Sequence, residues 1–260
     1  MISQATVGRL FFAISMMAFG IQQLVTAQLV RVVPPLPAWM PAPALWAYGA
    51  GILLILAGAA LATGVKGREA AVVLGVLIVV AIACLHLPRA LAEPGVGFHW
   101  TNPCKALALL GGVLIVAARL PARAADGTSG LARGFGRLAP LGPLFLATFL
   151  ILGGIQHFVY LTFVMQLVPA WIPGPRFWVD LTGTALIAGG IGILLPPTRR
   201  LAATLVGIMI LLWVVMLHIP RALANPQDPG ETAAIFEALA LSGAAFLLGS
   251  REWGQERTRP

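Results

Sequence analysis

HLPRALAEP occupies residues 86–94 and HIPRALANP residues 218–226, an offset of 132. The same offset links PAWMP at Pro37 to PAWIP at Pro169, and KALALLGG at Lys105 to EALALSGA at Glu237. GIQQL at Gly20 returns as GIQHF at Gly154, 134 residues on, so the first copy carries two extra residues ahead of its proline-rich loop (134 − 132). Four matches in one order define an internal duplication whose two copies are equivalent structural units.

Between these motifs the chain is apolar. Of 260 residues, 59% are hydrophobic and 10% charged, with a mean hydropathy of +0.91. Soluble domains carry roughly 25% charge, and a water-soluble fold of this size could not hide so much apolar surface. A spanning helix needs about 20 predominantly apolar residues. Eight segments qualify, at about 7–30, 44–64, 70–87, 103–120, 141–166, 177–195, 201–219 and 233–249. Most of the 29 Gly lie within these runs and most of the 20 Pro outside them, which suits closely packed membrane helices rather than disorder. The fold class is therefore all-α: a polytopic membrane protein of eight transmembrane helices, forming two four-helix bundles in parallel repeat. The expected organisation is a first repeat at 1–120, a hydrophilic linker at 121–138, a second repeat at 139–250 and a tail at 251–260. Arg9 and the VTA at 25–27 imitate a secretory signal around the first segment. Its counterpart lies mid-chain, where no signal peptide operates, so the segment is read as a mature helix.

The net charge of +8 does not point to nucleic acid, because the basic residues are scattered singly over short connections and form no patch. Arg31, Arg89, Lys105, Arg176 and Arg221 fall on one side of the bilayer, and the other twelve of the 17 Lys and Arg (17 − 5) fall on the opposite side. The positive-inside rule then puts both termini and the linker in the cytoplasm. The PAWxP and HxPR motifs face outward, and the expected location is the bacterial inner membrane. Four helices per copy give both copies one orientation, which argues against alternating access by inverted repeats.

The polar residues of the apolar segments are the candidates for chemistry. Proline ends a helix and biases the preceding residue away from it, so HxPR is expected to close the third helix of each copy. His86 and His218 would then sit just inside the outer boundary, with Arg89 and Arg221 beside them. Gln23, Gln156 and His157 lie on the first helix of each copy, and Lys105 and Glu237 lie on the fourth. These nine residues form the candidate ligand-binding set. His157, His218 and Glu237 also make a donor set for a metal or haem, ranked below hydrogen bonding to a neutral ligand. A quinone headgroup suits the set better, because its carbonyls need donors near the interface while its tail lies among apolar helices. Lys105 and Glu237, at equivalent positions, suggest an ion pair between the two halves. The bland alternatives are that the imidazoles cap helix carbonyls and the arginines meet headgroups.

Trp39 and Trp171, framed by prolines, read as interfacial anchors, with a lid over a pocket as the sharper alternative. Cys84 and Cys104 fall at the outer ends of adjacent helices, where an oxidising compartment could join them or leave them as small apolar residues. No Walker A, GxSxG, HExxH or dinucleotide-binding fingerprint stands in a usable context.

With these residues in hand, the chain resembles the DoxX-like family of small four-helix membrane proteins, present here as a fused pair. The resemblance rests on GIQHF at 154–158, the PAWIP loop, the glycine-rich helix around Gly183 to Gly192, HIP at 218–220 and KALALLGG at 105–112. It implies a four-helix bundle linked to quinone-dependent sulfur oxidation with thiosulfate as electron donor. On that basis the chain is expected to be an accessory subunit that binds a quinone-like or other apolar molecule near the outer face beside a membrane or periplasmic redox partner. A quinone-reducing oxidoreductase subunit and a lipid or small-solute transporter or cargo receptor are the alternatives. Gln23 stands where the second copy has His157, and Glu237 stands where the first has Lys105, so one hybrid site or one degenerate copy is expected.

Overall fold

The structure, a computed structural model, describes residues 2–30, 36–37, 39–120 and 129–250. Arg31, part of the linker and the tail lie outside the described residues. Helices α1 (Gln4–Thr26), α2 (Pro43–Thr63), α3 (Gly67–Ala92) and α4 (Gly97–Arg119) make the first copy. A short helix, α5 (Gly130–Gly136), precedes the second copy. That copy consists of α6 (Leu141–Val159), the short α7 (Leu161–Leu167), α8 (Pro175–Leu194), α9 (Arg199–Ala224) and α10 (Pro229–Gly249). Eight of these, all but α5 and α7, are long and apolar enough to cross a bilayer. The chain is an all-helical integral membrane protein.

Local sequence sets the helix ends. Pro43, Pro175 and Pro229 open α2, α8 and α10 at the first helical position, where a missing N–H costs nothing. Asp228 accepts a hydrogen bond from the Gly230 amide at 2.7 Å and so caps α10. Gly64 closes α2 with a φ of 77°, a conformation glycine takes without steric cost.

The HxPR motif does not end the third helix, contrary to the reading from proline alone. In both copies the helix widens into a π turn, Ile82–His86 and Val214–His218, and then continues as α-helix through the proline to Ala92 and Ala224. The Leu87 amide bonds to the Ile82 carbonyl, five residues back. This shift in the ladder one residue before Pro88 lets the chain absorb a ring that would otherwise collide with the carbonyl beneath it. Both histidines therefore lie deeper than a terminal position, about 9 Å from the end of the helix at ~1.5 Å per residue.

The two repeats do not close as separate bundles. α1 packs between α2 and α10, and α6 packs between α8 and α4, so the fourth helix of each copy lies against the first helix of the other. α4 and α10 also touch at the centre and are the most buried of the spans. Glycines make the crossings. A Cβ at Gly8 would stand 2.5 Å from the Gly243 carbonyl oxygen, and one at Gly243 would stand 2.5 Å from that of Gly8. The equivalent crossing in the other half pairs Gly111 with Gly142, at 2.8 and 2.9 Å. Within the first copy Gly20 and Gly51 meet in the same reciprocal way; in the second a Cβ at Gly154 would meet the Gly183 carbonyl oxygen, and one at Gly183 would meet His157 and Phe158. In a bilayer apolar side chains gain little by leaving lipid, so close backbone approach at small residues is what brings helices together.

The start of α1 and the end of α10 lie on one face, that of the chain's described ends, where the Gln4 amide donates to Thr204 at 3.0 Å and reaches Gly249. Arginines cap helix carbonyls there: Arg68 donates to Leu120 O at 3.0 Å, Arg119 to Leu247 O at 3.2 Å and Arg199 to Ile193 O at 2.8 Å. The linker contributes to the fold as well. Its α5 packs on α3 and α4, and Phe135 fills the notch at Gly75 that Phe246 fills at Gly207 in the second copy.

Gly243→Val is expected to lower stability by about 3 kcal/mol, the upper end of overpacking penalties. Gly49, with nothing within 4 Å of its would-be Cβ, is the control, and Gly49→Ala should stay within about 0.5 kcal/mol of wild type. Thermal melts in one detergent measure both.

Candidate functional site

The polar side chains of the spans gather in one layer below the face opposite the chain ends. Lys105 and Glu237 lie about 12 Å along α4 and α10 from that face, and His86 and His218 lie about 9 Å along α3 and α9. Gln23 packs against Gly51 of α2, and His157 packs against Gly183 of α8. Those glycines, also equivalent (51 + 132 = 183), stand at the same depth as Lys105 and Glu237.

At the centre of the layer Lys105 Nζ lies 3.3 Å from Glu237 Oε2, with 33% and 10% of the two side chains exposed. The pair joins α4 to α10 and is the ion pair between halves expected from the sequence. It links equivalent positions of the two copies (105 + 132 = 237), so it sits where the repeats meet about their common axis. His218 lies within electrostatic range of Lys105, Arg221 and Glu231.

The copies differ around this centre. In the second, His157 Nδ1 donates to the Gly153 carbonyl at 2.7 Å, since a carbonyl only accepts. Its ring stacks on the indole of Trp213, with centroids 6.1 Å apart and planes at 25°. In the first copy Gln23 replaces His157 and Ala81 replaces Trp213 (213 − 132). Gln23 and His86 are each only 2% exposed, and Gln23 Oε1 and His86 Nε2 have no hydrogen-bond partner among the described residues. Both imidazoles of the second copy are free of such buried, unpartnered atoms.

A charged rim closes the layer toward the far face. Arg221 grips Glu231 through two hydrogen bonds, Nε to Oε2 at 3.0 Å and Nη2 to Oε1. Arg89 instead donates from Nε to His99 Nε2 at 3.2 Å, and His99 Nδ1 lies 3.3 Å from Glu93. Gln156 donates to Thr101 at 2.7 Å across the α6–α4 crossing, and its equivalent Gln22 donates to the Pro229 carbonyl across α1–α10.

Of the nine residues expected at the site, Lys105 and Glu237 meet directly. Arg89, Arg221 and Gln156 are held by rim partners, and Gln23, His86, His157 and His218 lie in the polar layer. His157, His218 and Glu237 do not assemble a metal site: among the described residues no three His, Cys, Asp or Glu side chains come together. The reason is commitment elsewhere, since His157 is taken up by Gly153 and Trp213 and Glu237 by Lys105. Cys84 and Cys104 are free thiols. Trp39 and Trp171 are 77% and 66% exposed, as suits the anchor reading. Sequence reasoning missed His99, Glu231 and Trp213. A signal existed for the first two, because each stands ten residues after the HxPR arginine in its copy.

Residues 5–87, which run from α1 to the π turn of α3, match the family model described as DoxX. Over that stretch the first repeat is similar to DoxX. Residues 146–242 match a domain of unknown function, DUF8561. No curated protein and no solved structure matches the chain.

Lys105→Glu should set two carboxylates face to face on the repeat axis and lower the melting temperature sharply. The double variant Lys105→Glu with Glu237→Lys restores opposite charges and should recover most of the loss, as a melting comparison of the three proteins would show.

Proposed function

We infer that this DoxX-like protein binds a small, largely apolar, quinone-like molecule in its polar layer and works as an accessory subunit beside a redox partner in the membrane. The observation that carries the reading is the pair of buried, unpartnered atoms Gln23 Oε1 and His86 Nε2. Leaving a buried polar group unsatisfied costs about 1–3 kcal/mol, and a low-dielectric bilayer interior offers little water to relieve it. A ligand with polar atoms on an apolar ring removes that cost while its remaining surface stays among lipid-facing helices. The DoxX likeness supports the redox context, since the family is linked to quinone-related oxidoreductase subunits.

The orientation belongs to the same reading. The face with the chain ends carries the arginine-rich connections and is the cytoplasmic one, so the polar layer opens toward the outer leaflet. Reporter fusions at the amino and carboxyl ends should both report the cytoplasm, and an outward report from either would reverse the assignment.

Gentle detergent extraction followed by mass spectrometry of the bound small molecules tests the binding. Wild type should retain a quinone or related ring lipid in near-stoichiometric amount, and His86→Ala should lose at least nine-tenths of it with an unchanged helical spectrum. Equal retention by the variant would return His86 to a structural role.

A further inference from the structure

Equivalent positions in the two repeats have equivalent backbones. Gln23 and His157 pack against Gly51 and Gly183, and Ala81 and Trp213 are each the last residue before the π turn of the third helix. In the second repeat the position facing the first-helix polar residue holds a flat ring, the Trp213 indole, stacked on His157. In the first repeat the same position holds only the Ala81 methyl group, while Gln23 Oε1, at the position equivalent to His157, and His86 Nε2, five residues beyond Ala81 on the same helix, are buried and unpartnered. We propose that the ligand site is confined to the first repeat, and that Trp213 occupies in the second repeat the place the ligand ring takes in the first.

The polar atoms narrow the ligand class. Gln23 Oε1 is an acceptor only, so its partner must donate a proton. His86 Nε2 accepts when Nδ1 carries the proton and donates in the other tautomer, so it bonds either a hydroxyl or a carbonyl. A flat ring that offers at least one hydroxyl fits both: a hydroquinone or a phenol. A fully oxidised quinone, which has acceptors alone, leaves Gln23 Oε1 unsatisfied. The site therefore favours the reduced form, held edge-on by Gln23 and His86 with its face toward Ala81. The stack of Trp213 on His157 is the second repeat's own substitute for that arrangement, which leaves no ring-sized place there. This inference rests on the ligand-binding reading above and adds the repeat, the redox form and the residue that selects between repeats.

The test uses the full chain in lipid nanodiscs, with tetramethylhydroquinone as the probe and equilibrium dialysis as the readout. Wild type should bind one equivalent per chain, and tetramethylbenzoquinone should bind at least tenfold more weakly. Ala81→Trp, which installs the second repeat's plug in the first, should weaken hydroquinone binding at least tenfold. Trp213→Ala should keep at least the wild-type equivalent. Gln23→Leu, which leaves the methyl at 81 in place, should also lose at least tenfold and covers the case in which the indole disturbs folding. Undiminished binding by Ala81→Trp and Gln23→Leu, with loss in His157→Leu, would move the site to the second repeat and overturn this inference while leaving the ligand-binding reading intact. No binding of either probe by wild type would overturn both.

Discussion

Backbone contact at paired glycines is the constraint on which this molecule depends. Lipid tails are as apolar as leucine, so the helices are not driven together by hydrophobic burial as in water. Dispersion between closely approaching backbones has to hold them, and it requires residues without a Cβ at the crossings. Gly8 with Gly243, and Gly142 with Gly111, fix the first helix of each repeat against the last helix of the other. Gly20 with Gly51, and Gly154 with Gly183, fix the first helix against the second. Gln23 and His157 lie three residues beyond Gly20 and Gly154, so these crossings also set where the polar side chains face.

The exchange of helices between repeats explains why the charged pair lies where it does. Because α4 and α10 meet at the centre, a residue on one lies near its own equivalent on the other. Two unmodified copies would place like charges together there, at a cost of several kcal/mol in a low-dielectric interior. Lys105 opposite Glu237 removes that repulsion and gives the two halves distinct partners. Divergence at this one position makes the repeats complementary where identical copies would conflict.

Much of this was legible in the sequence because the bilayer imposes simple rules. Eight spans follow from run lengths, the shared face of the chain ends from an even helix count, and the Lys105–Glu237 contact from a shared offset. Other features were not legible for physical reasons. Proline is read as a stop, yet the π turn before Pro88 and Pro220 carries the helix on, because a one-residue slip in the hydrogen-bond ladder leaves no mark in composition. Which copy's fourth helix packs on which first helix is also silent, since both crossings use the same glycines and either closure satisfies them. The rim pairs of Arg89 with His99 and Arg221 with Glu231 join residues that differ between the copies, and a search for identities passes over differences. Metal chemistry at His157, His218 and Glu237 looked open because depth alone was counted. The Gly153 carbonyl and the Lys105 ammonium claim two of those three groups.

The same logic bears on what a duplicated membrane bundle can do. Each repeat inherits one polar layer, and an isolated polar residue in that layer has to be satisfied by protein or by something bound. In the second repeat His157 bonds its own helix and lies under Trp213, and Arg221 closes directly on Glu231, while Glu237 Oε1 stays without a hydrogen-bond partner. The first keeps buried polar atoms without protein partners, and its rim runs through His99, a looser link than a bidentate arginine and carboxylate. A closed repeat gains stability and a rigid set of interfaces, which the open repeat borrows through α1 against α10 and α4 against α6. One half thus serves as scaffold for the other, and the unpartnered atoms Gln23 Oε1 and His86 Nε2 lie in the open repeat, where a ligand can offset their cost.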